Sequence, residues 1–167
     1  VDDLDATAAA IALGALNYYL LQVTPSKDMV FNPKDSISFT GNTGPYLQYM
    51  GARISSMLRR WAEVEAEYTG VAFDASLLSL DDEREIIRTL AAYPQTVRKA
   101  GEDKDPSLIT AYLYDLSRLF SRWYHDNPVL KAGEKPLVRA RMEVCIMVLA
   151  VLKNAFSLIG VPFLERM

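Results

Sequence analysis

The sequence predicts an all-α protein, a helical bundle preceded by a short connecting subdomain, and three observations carry that prediction. Apolar residues recur at i, i+3, i+4 spacing in successive stretches after Pro45. The stretches Ala6–Leu21 and Val144–Leu152 are apolar on every side, as helices at the centre of an all-α domain are. Clusters of proline, glycine, asparagine and aspartate separate these stretches. With 167 residues, half of them hydrophobic and 23% charged, the chain can bury one core and is neither a disordered tail nor a fibrous repeat.

The first helix is expected over Ala6–Leu21, a run of good helix formers with Asp5 or Thr7 as cap. Thr24-Pro25-Ser26-Lys27-Asp28 ends it, and Met29–Asn32 and Ser36–Phe39 read as short strands or extended connections. Gly41-Asn42-Thr43-Gly44 is a turn, and Pro45 suits a first helical turn, where its missing N–H costs nothing. A long helix follows to about Glu67. The acidic cluster Asp81-Asp82-Glu83 favours the positive end of another helix, carrying Ile86, Ile87, Leu90 and Ala91. Pro94 is expected to stop that helix, with a second short one reaching about Ala100. Asp105-Pro106-Ser107 opens the next, whose stripe of Ile109, Tyr112, Leu113, Leu116, Phe120 and Trp123 runs to Asn127-Pro128. Pro136 starts the last helix, which Gly160 and Pro162 end. A boundary is placed near Phe39–Gly41, dividing residues 1–40 from 41–167.

Composition excludes several function classes. One cysteine and one histidine leave no disulfide framework and no Cys/His zinc cluster, and they fit a reducing, intracellular setting. A net charge of −3 argues against an unselective nucleic-acid binder. The opening Val1-Asp2-Asp3-Leu4-Asp5 is acidic where a secretory signal is basic. Both apolar stretches fall short of the roughly 20 residues a bilayer crossing needs, so both are expected to be buried helices and no membrane association is expected. Cys145 sits among apolar neighbours as a core residue, and His125 lies in a polar helix end with no nucleophile to serve. Gly41-Asn42-Thr43-Gly44 lacks the Gly-Lys-Ser/Thr of a phosphate loop. No active site is evident.

The helix after Gly41 stands out. At about 100° per residue, Tyr46, Tyr49, Arg53 and Arg60 fall within about 60° of one another, along the edge of a core stripe. From Gly41 to Trp61 there are three arginines and no acid. In an acidic protein this is a local anion-attracting surface, with tyrosine faces on which unpaired bases can stack. On spacing alone a structural alternative stays open: tyrosines covering the core, and arginines paired with Glu63, Glu65 or Glu67.

The segment Ser38-Phe39-Thr40-Gly41-Asn42-Thr43-Gly44-Pro45-Tyr46-Leu47-Gln48-Tyr49 resembles the signature that opens the DALR anticodon-binding domain of arginyl-tRNA synthetases. Further blocks agree in order: Asn17–Leu20, Pro25–Phe31, Tyr112–Leu116, Phe120 with Trp123-Tyr124-His125, Pro128–Leu130, Val151–Asn154, Leu158–Gly160 and the final Glu165-Arg166-Met167. Val138-Arg139-Ala140-Arg141-Met142 is a loose version of the motif that names the domain, and Leu164 stands where the family often has proline. The resemblance implies the helical DALR-type bundle of a class I synthetase, from the carboxyl-terminal part of an enzyme that joins arginine to its tRNA with ATP. The catalytic motifs of that family, of His-Ile-Gly-His and Lys-Met-Ser-Lys-Ser type, do not occur in these 167 residues. The chain alone is therefore expected to bind and not to catalyse, with ATP and Mg2+ belonging to a separate catalytic domain and no cofactor of its own. Residues 1–40 are expected to connect to that domain. By the same resemblance Tyr49, Arg53, Arg59, Tyr124 and Met167 face the anticodon stem-loop of arginine tRNA, and the setting is cytoplasmic. Helical spacing favours Arg60 over Arg59 as the neighbour of Arg53, so both stand as candidates. The alternative function is a helical module that docks another protein.

Overall fold

A computed structural model describes residues 3–167; of the acidic opening, Val1 and Asp2 lie outside the described residues. Among the described residues six α-helices follow one another: α1 Leu4–Leu21, α2 Pro33–Ser36, α3 Gly44–Val64, α4 Asp81–Asp103, α5 Ser107–Asp126 and α6 Lys135–Leu158. Short 3-10 turns at Glu65–Tyr68 and Ala75–Leu77 join α3 to α4. No strand occurs among the described residues. The two short apolar runs before Gly41 are connections around the single turn of α2, which Asn32 caps by accepting from the Lys34 amide at 3.0 Å.

The core is built around α6. Val138, Ala140, Met142, Val144, Cys145, Val148, Leu152 and Phe156 are buried there, but Met147 and Ala150 are exposed, so the apolar middle is not buried on every side. Burial pushes the Cys145 thiol well above the usual range, so it behaves as a small hydrophobe. Against α6 pack α3, through Leu47, Met50, Ile54 and Trp61, and α5, through Leu113, Leu116, Phe120 and Trp123.

Pro94 does not end a helix: α4 runs unbroken from Asp81 to Asp103 with the proline inside it. A proline in a helix interior costs about 3 kcal/mol. Here packing offsets that cost, because Ile86, Leu90, Tyr93 and Ala100 form one stripe in the core on both sides of the proline. Across the pair, Tyr112 of α5 donates its hydroxyl to the Thr89 carbonyl at 2.9 Å, in the turn before the break in the ladder.

The burial expected of Ala6–Leu21 is met only on one side. Gly14, Ala15 and Tyr18 are buried, whereas Leu13, Leu16 and Leu20 are exposed on the other. The cap is Asp3, accepting from the Ala6 amide at 2.9 Å, not Asp5 or Thr7. By length and composition α1 is apolar enough to cross a membrane; in the structure it lies along α3. The buried Tyr18 hydroxyl sits 2.5 Å from Asn42 Oδ1 and 2.9 Å from the Thr110 carbonyl, joining α1 to the turn before α3 and to α5. Where the helices meet, a Cβ on Gly44 would collide with the Gly14 backbone. Replacing Gly44 with alanine must part α1 from α3, and a loss of about 1–3 kcal/mol is expected, as for other overpacked contacts. Thermal melting would show it as roughly 2–4 °C per kcal/mol; an unchanged midpoint would mean the two helices are not held in this contact.

Candidate nucleic-acid interface

The interface is built where α3 meets the last residues of the chain. Thr43 caps α3 by accepting from the Tyr46 amide at 3.3 Å, which fixes the start of the helix and the direction of everything it carries. At the far end of the fold, Gly160 takes a left-handed conformation (φ 64°) and Val161 donates to the Phe156 carbonyl at 3.0 Å, which closes α6 and turns the tail back towards α3. The tail crosses α3 at Gly51, where a Cβ would strike the Phe163 ring. Phe163 also packs on Phe156, centroids 6.0 Å apart, with the Lys153 ammonium 4.7 Å from its ring. Beyond it Lys153 Nζ bonds Glu165 Oε1 at 2.7 Å, and Arg59 Nη1 donates to the Glu165 carbonyl at 3.1 Å.

Between this tail and the helix lies an open cleft of about 410 Å³, lined by Tyr49, Ala52, Arg53, Ser56, Arg59, Arg166 and Met167. Three guanidinium groups line it and no acidic side chain does. Among the described residues, Arg53, Arg59 and Arg60 form no ion pair; Glu65 pairs instead with Arg139 at 3.6 Å. The nearest acid of the tail, Glu165, is occupied by Lys153, whose hydrogen bond is the main reason its carboxyl sits below the usual range. No acidic side chain within the cleft's lining therefore pairs with its arginines. On the other side of Tyr49 and Met167 is a second hollow, about 460 Å³, walled by Leu4, Thr7, Ile11 and Phe39 together with those same two residues. Tyr49 and Met167 thus divide a cationic cleft from an apolar one.

Of the residues singled out in the sequence, the structure brings Tyr49, Arg53, Arg59 and Met167 to one cleft. Tyr124 reaches it indirectly. Its ring stacks on Phe120, centroids 5.7 Å apart at 13°, and the Arg53 guanidinium lies 4.6 Å from its centroid. Tyr46 is not in the cleft: it is partly buried against the core, edge-on to Tyr114 at 6.2 Å, and burial raises its pKa. Arg60 is exposed but does not line the cleft. The choice between Arg59 and Arg60 turns on the tail. A helical projection orders side chains around one axis, but this cleft has its second wall on the Arg59 side. Ala52, Ser56 and Arg166 are additions that the sequence reading does not single out. The first two are small residues on the face of Tyr49, opening room beside it; Arg166 falls in the terminal Glu-Arg-Met block but has no periodic context to mark it.

Among the described residues there is no cluster of three or more His, Cys, Asp or Glu side chains, and the charged side chains lining the cleft are arginines. The larger groove between α4 and α5, about 590 Å³, mixes Glu85 and Asp115 with Arg88, Arg118 and Arg122 and has no single sign to attract a polyanion.

A family model described as the DALR anticodon binding domain matches residues 47–167. The arginine–tRNA ligase of Treponema denticola is 51% identical over 169 aligned residues, covering 100% of this chain and 29% of its own length. That of Treponema pallidum is 50% identical and covers 96% of this chain and 28% of its own. Among solved structures, the arginyl-tRNA synthetase of Thermus thermophilus superposes with a TM-score of 0.87 at 30% identity, over 99% of this chain and 28% of that one. The chain therefore spans less than a third of the length of these relatives. The matched segment contains the cleft's own lining from Tyr49 to Met167 and every helix of the core bundle from α4 onward, and on that match the chain belongs to the DALR anticodon-binding domain family.

Proposed function

We propose that this chain binds the anticodon stem-loop of arginine tRNA, as the anticodon-reading part of a cytoplasmic arginine–tRNA ligase. The observation that carries the reading is the convergence of Arg53, Arg59 and Arg166 on a cleft with no acidic side chain beside the exposed Tyr49, in a protein of net charge −3. A cationic cleft takes backbone phosphates, and an aromatic face with an apolar hollow behind it takes an unstacked base. In this reading Arg53, Arg59 and Arg166 neutralise phosphates on one side of the Tyr49–Met167 wall, and Tyr49 and Met167 hold a base on the other. Tyr124 contributes through Arg53, which its ring supports. Arginine codons share a central guanine, so the central anticodon cytosine is the base that most rewards reading. In this reading ATP, Mg2+ and the joining of arginine to tRNA belong to a catalytic domain of the same ligase, as the family resemblance implies. That domain is the second partner, reached through residues 1–40.

The test is a titration of arginine tRNA against a variant altered only at the central anticodon base. Unaltered tRNA is expected to bind more tightly, by the roughly 1–3 kcal/mol typical of one lost base contact. Equal binding of the two, or no binding at salt low enough to favour electrostatics, would defeat the reading in favour of a protein-docking module.

A further inference from the structure

Two groups that make up the interface, Arg166 and Met167, sit on a tail without secondary structure of its own, so something must set their position. The deepest fixed point under that tail is Gln48. Its side chain is fully buried one residue before Tyr49, and its Nε2 donates twice: to the Pro162 carbonyl of the tail at 2.9 Å and to the Ala10 carbonyl of α1 at 3.1 Å. Both donors of the carboxamide are thereby used on backbone from elements that are remote in sequence, while Gln48 Oε1 has no partner. The space is shaped to the amide, because a Cβ on Gly14 would run into it. A second amide reinforces the arrangement: Asn17 Nδ2 donates to the Gly160 carbonyl at 2.5 Å, again from α1 to the tail.

A buried carboxamide whose oxygen has no partner costs stability, and an apolar side chain of the same size would avoid the cost. What the amide does that leucine or methionine cannot is tie three backbones in one register. We propose that Gln48 is a positioning residue for the interface: its carboxamide locks the tail, and with it Arg166 and Met167, against α3 and α1. It touches no RNA. It acts by preorganising the tail wall of the cleft, so that ordering this wall is not a cost of binding. Because the same nitrogen holds α1, a displacement of α1 and a displacement of the tail wall are linked at this one side chain.

The proposal rests on the reading that Arg166 and Met167 face RNA, and the experiment separates the two. In the 167-residue chain labelled at methionine methyls, the Met167 resonance is assigned by its loss in Met167→Leu. In Gln48→Leu it should move towards the random-coil position and sharpen, with the other methionine methyls little changed. Arginine tRNA binding should fall roughly tenfold, and Met167→Ala should add little on top, since both changes disable the same wall. An unmoved Met167 methyl in Gln48→Leu overturns the clamp whatever the RNA data show, and also if the wild-type chain binds no tRNA. A moved methyl with unchanged tRNA affinity, or fully additive losses, overturns the positioning role. Should Gln48→Leu fail to fold, Gln48→Met repeats the test, and the wild-type Gln48 Nε2 protons decide independently: slow exchange with solvent is required of them, and free exchange would end the proposal.

Discussion

Replacing Glu83 with alanine is expected to destabilise the fold by about 3–5 kcal/mol, the cost of stripping one partner from a buried ion pair. Glu83 is 0% exposed, and its two carboxylate oxygens serve three donors. Oε2 accepts from the Leu80 amide at 3.1 Å, closing the first turn of α4. Oε1 accepts from Arg141 Nε at 2.8 Å and from Trp123 Nε1 at 3.3 Å. Arg141 in turn donates through Nη1 to the Pro128 carbonyl at 3.0 Å, at the end of α5. One carboxylate thus ties α4, α5 and α6, and removing it leaves the Arg141 Nε–H, an indole N–H and a backbone N–H without acceptors and the guanidinium charge without its counterion. Melting should drop on the order of 10 °C for a chain of this size. Glu83→Gln, which keeps shape and one acceptor, should cost less. The informative comparison is Glu83→Leu with Arg141→Met: with both charges gone, the loss should be well below the sum of the two single changes. A Glu83→Ala variant within 1 kcal/mol of wild type would show that water reaches the pair.

That network marks the limit of what the residues disclose in one dimension. Asp81-Asp82-Glu83 reads correctly as an acidic first turn, yet only Asp81 and Asp82 sit at the surface; Glu83 points inward because Arg141, 58 residues away, waits there. A pairing at that separation leaves no local trace, and Arg141 reads only as part of a loose family motif. The helices themselves were legible wherever one face carries the burial, as in α5 and α6. Pro94 misled because local propensity opposed the packing of one α4 stripe into the core on both sides of the proline. Composition misled at α1, where apolar residues on all sides promised burial that one neighbouring helix cannot supply. In the interface, the periodic residues Tyr49 and Arg53 were visible from spacing. Tyr46 shared their arc but was claimed by the core, and the tail that selects Arg59 and contributes Arg166 comes from more than a hundred positions away.

The second large effect is expected at that interface. Changing Arg53, Arg59 and Arg166 together to alanine should nearly abolish tRNA binding at moderate salt and flatten its salt dependence by about 2 in log–log slope, about 0.7 for each phosphate contact on a single-stranded loop. Arg53→Ala alone should weaken all tRNA sequences alike and remove about 0.7. Stability should change little. The arginines form no ion pairs among the described residues, and their fixed contacts are the Arg53–Tyr124 approach and the Arg59 bond to the Glu165 carbonyl. An exposed cation–π contact contributes about 0.5–1 kcal/mol. The competing explanation is global: the triple change also makes an acidic chain more acidic, and a less favourable long-range field weakens any polyanion. Removing Arg84, Arg88 and Arg98, exposed on α4, changes net charge by the same amount at a place the cleft does not include. Long-range repulsion lowers affinity in both variants, but only loss of direct phosphate contacts removes released counterions from the equilibrium. The cleft variant should therefore lose slope as well as affinity, and the α4 variant far less of either. Equal slopes in the two would assign the effect to net charge and leave the cleft without a role in binding.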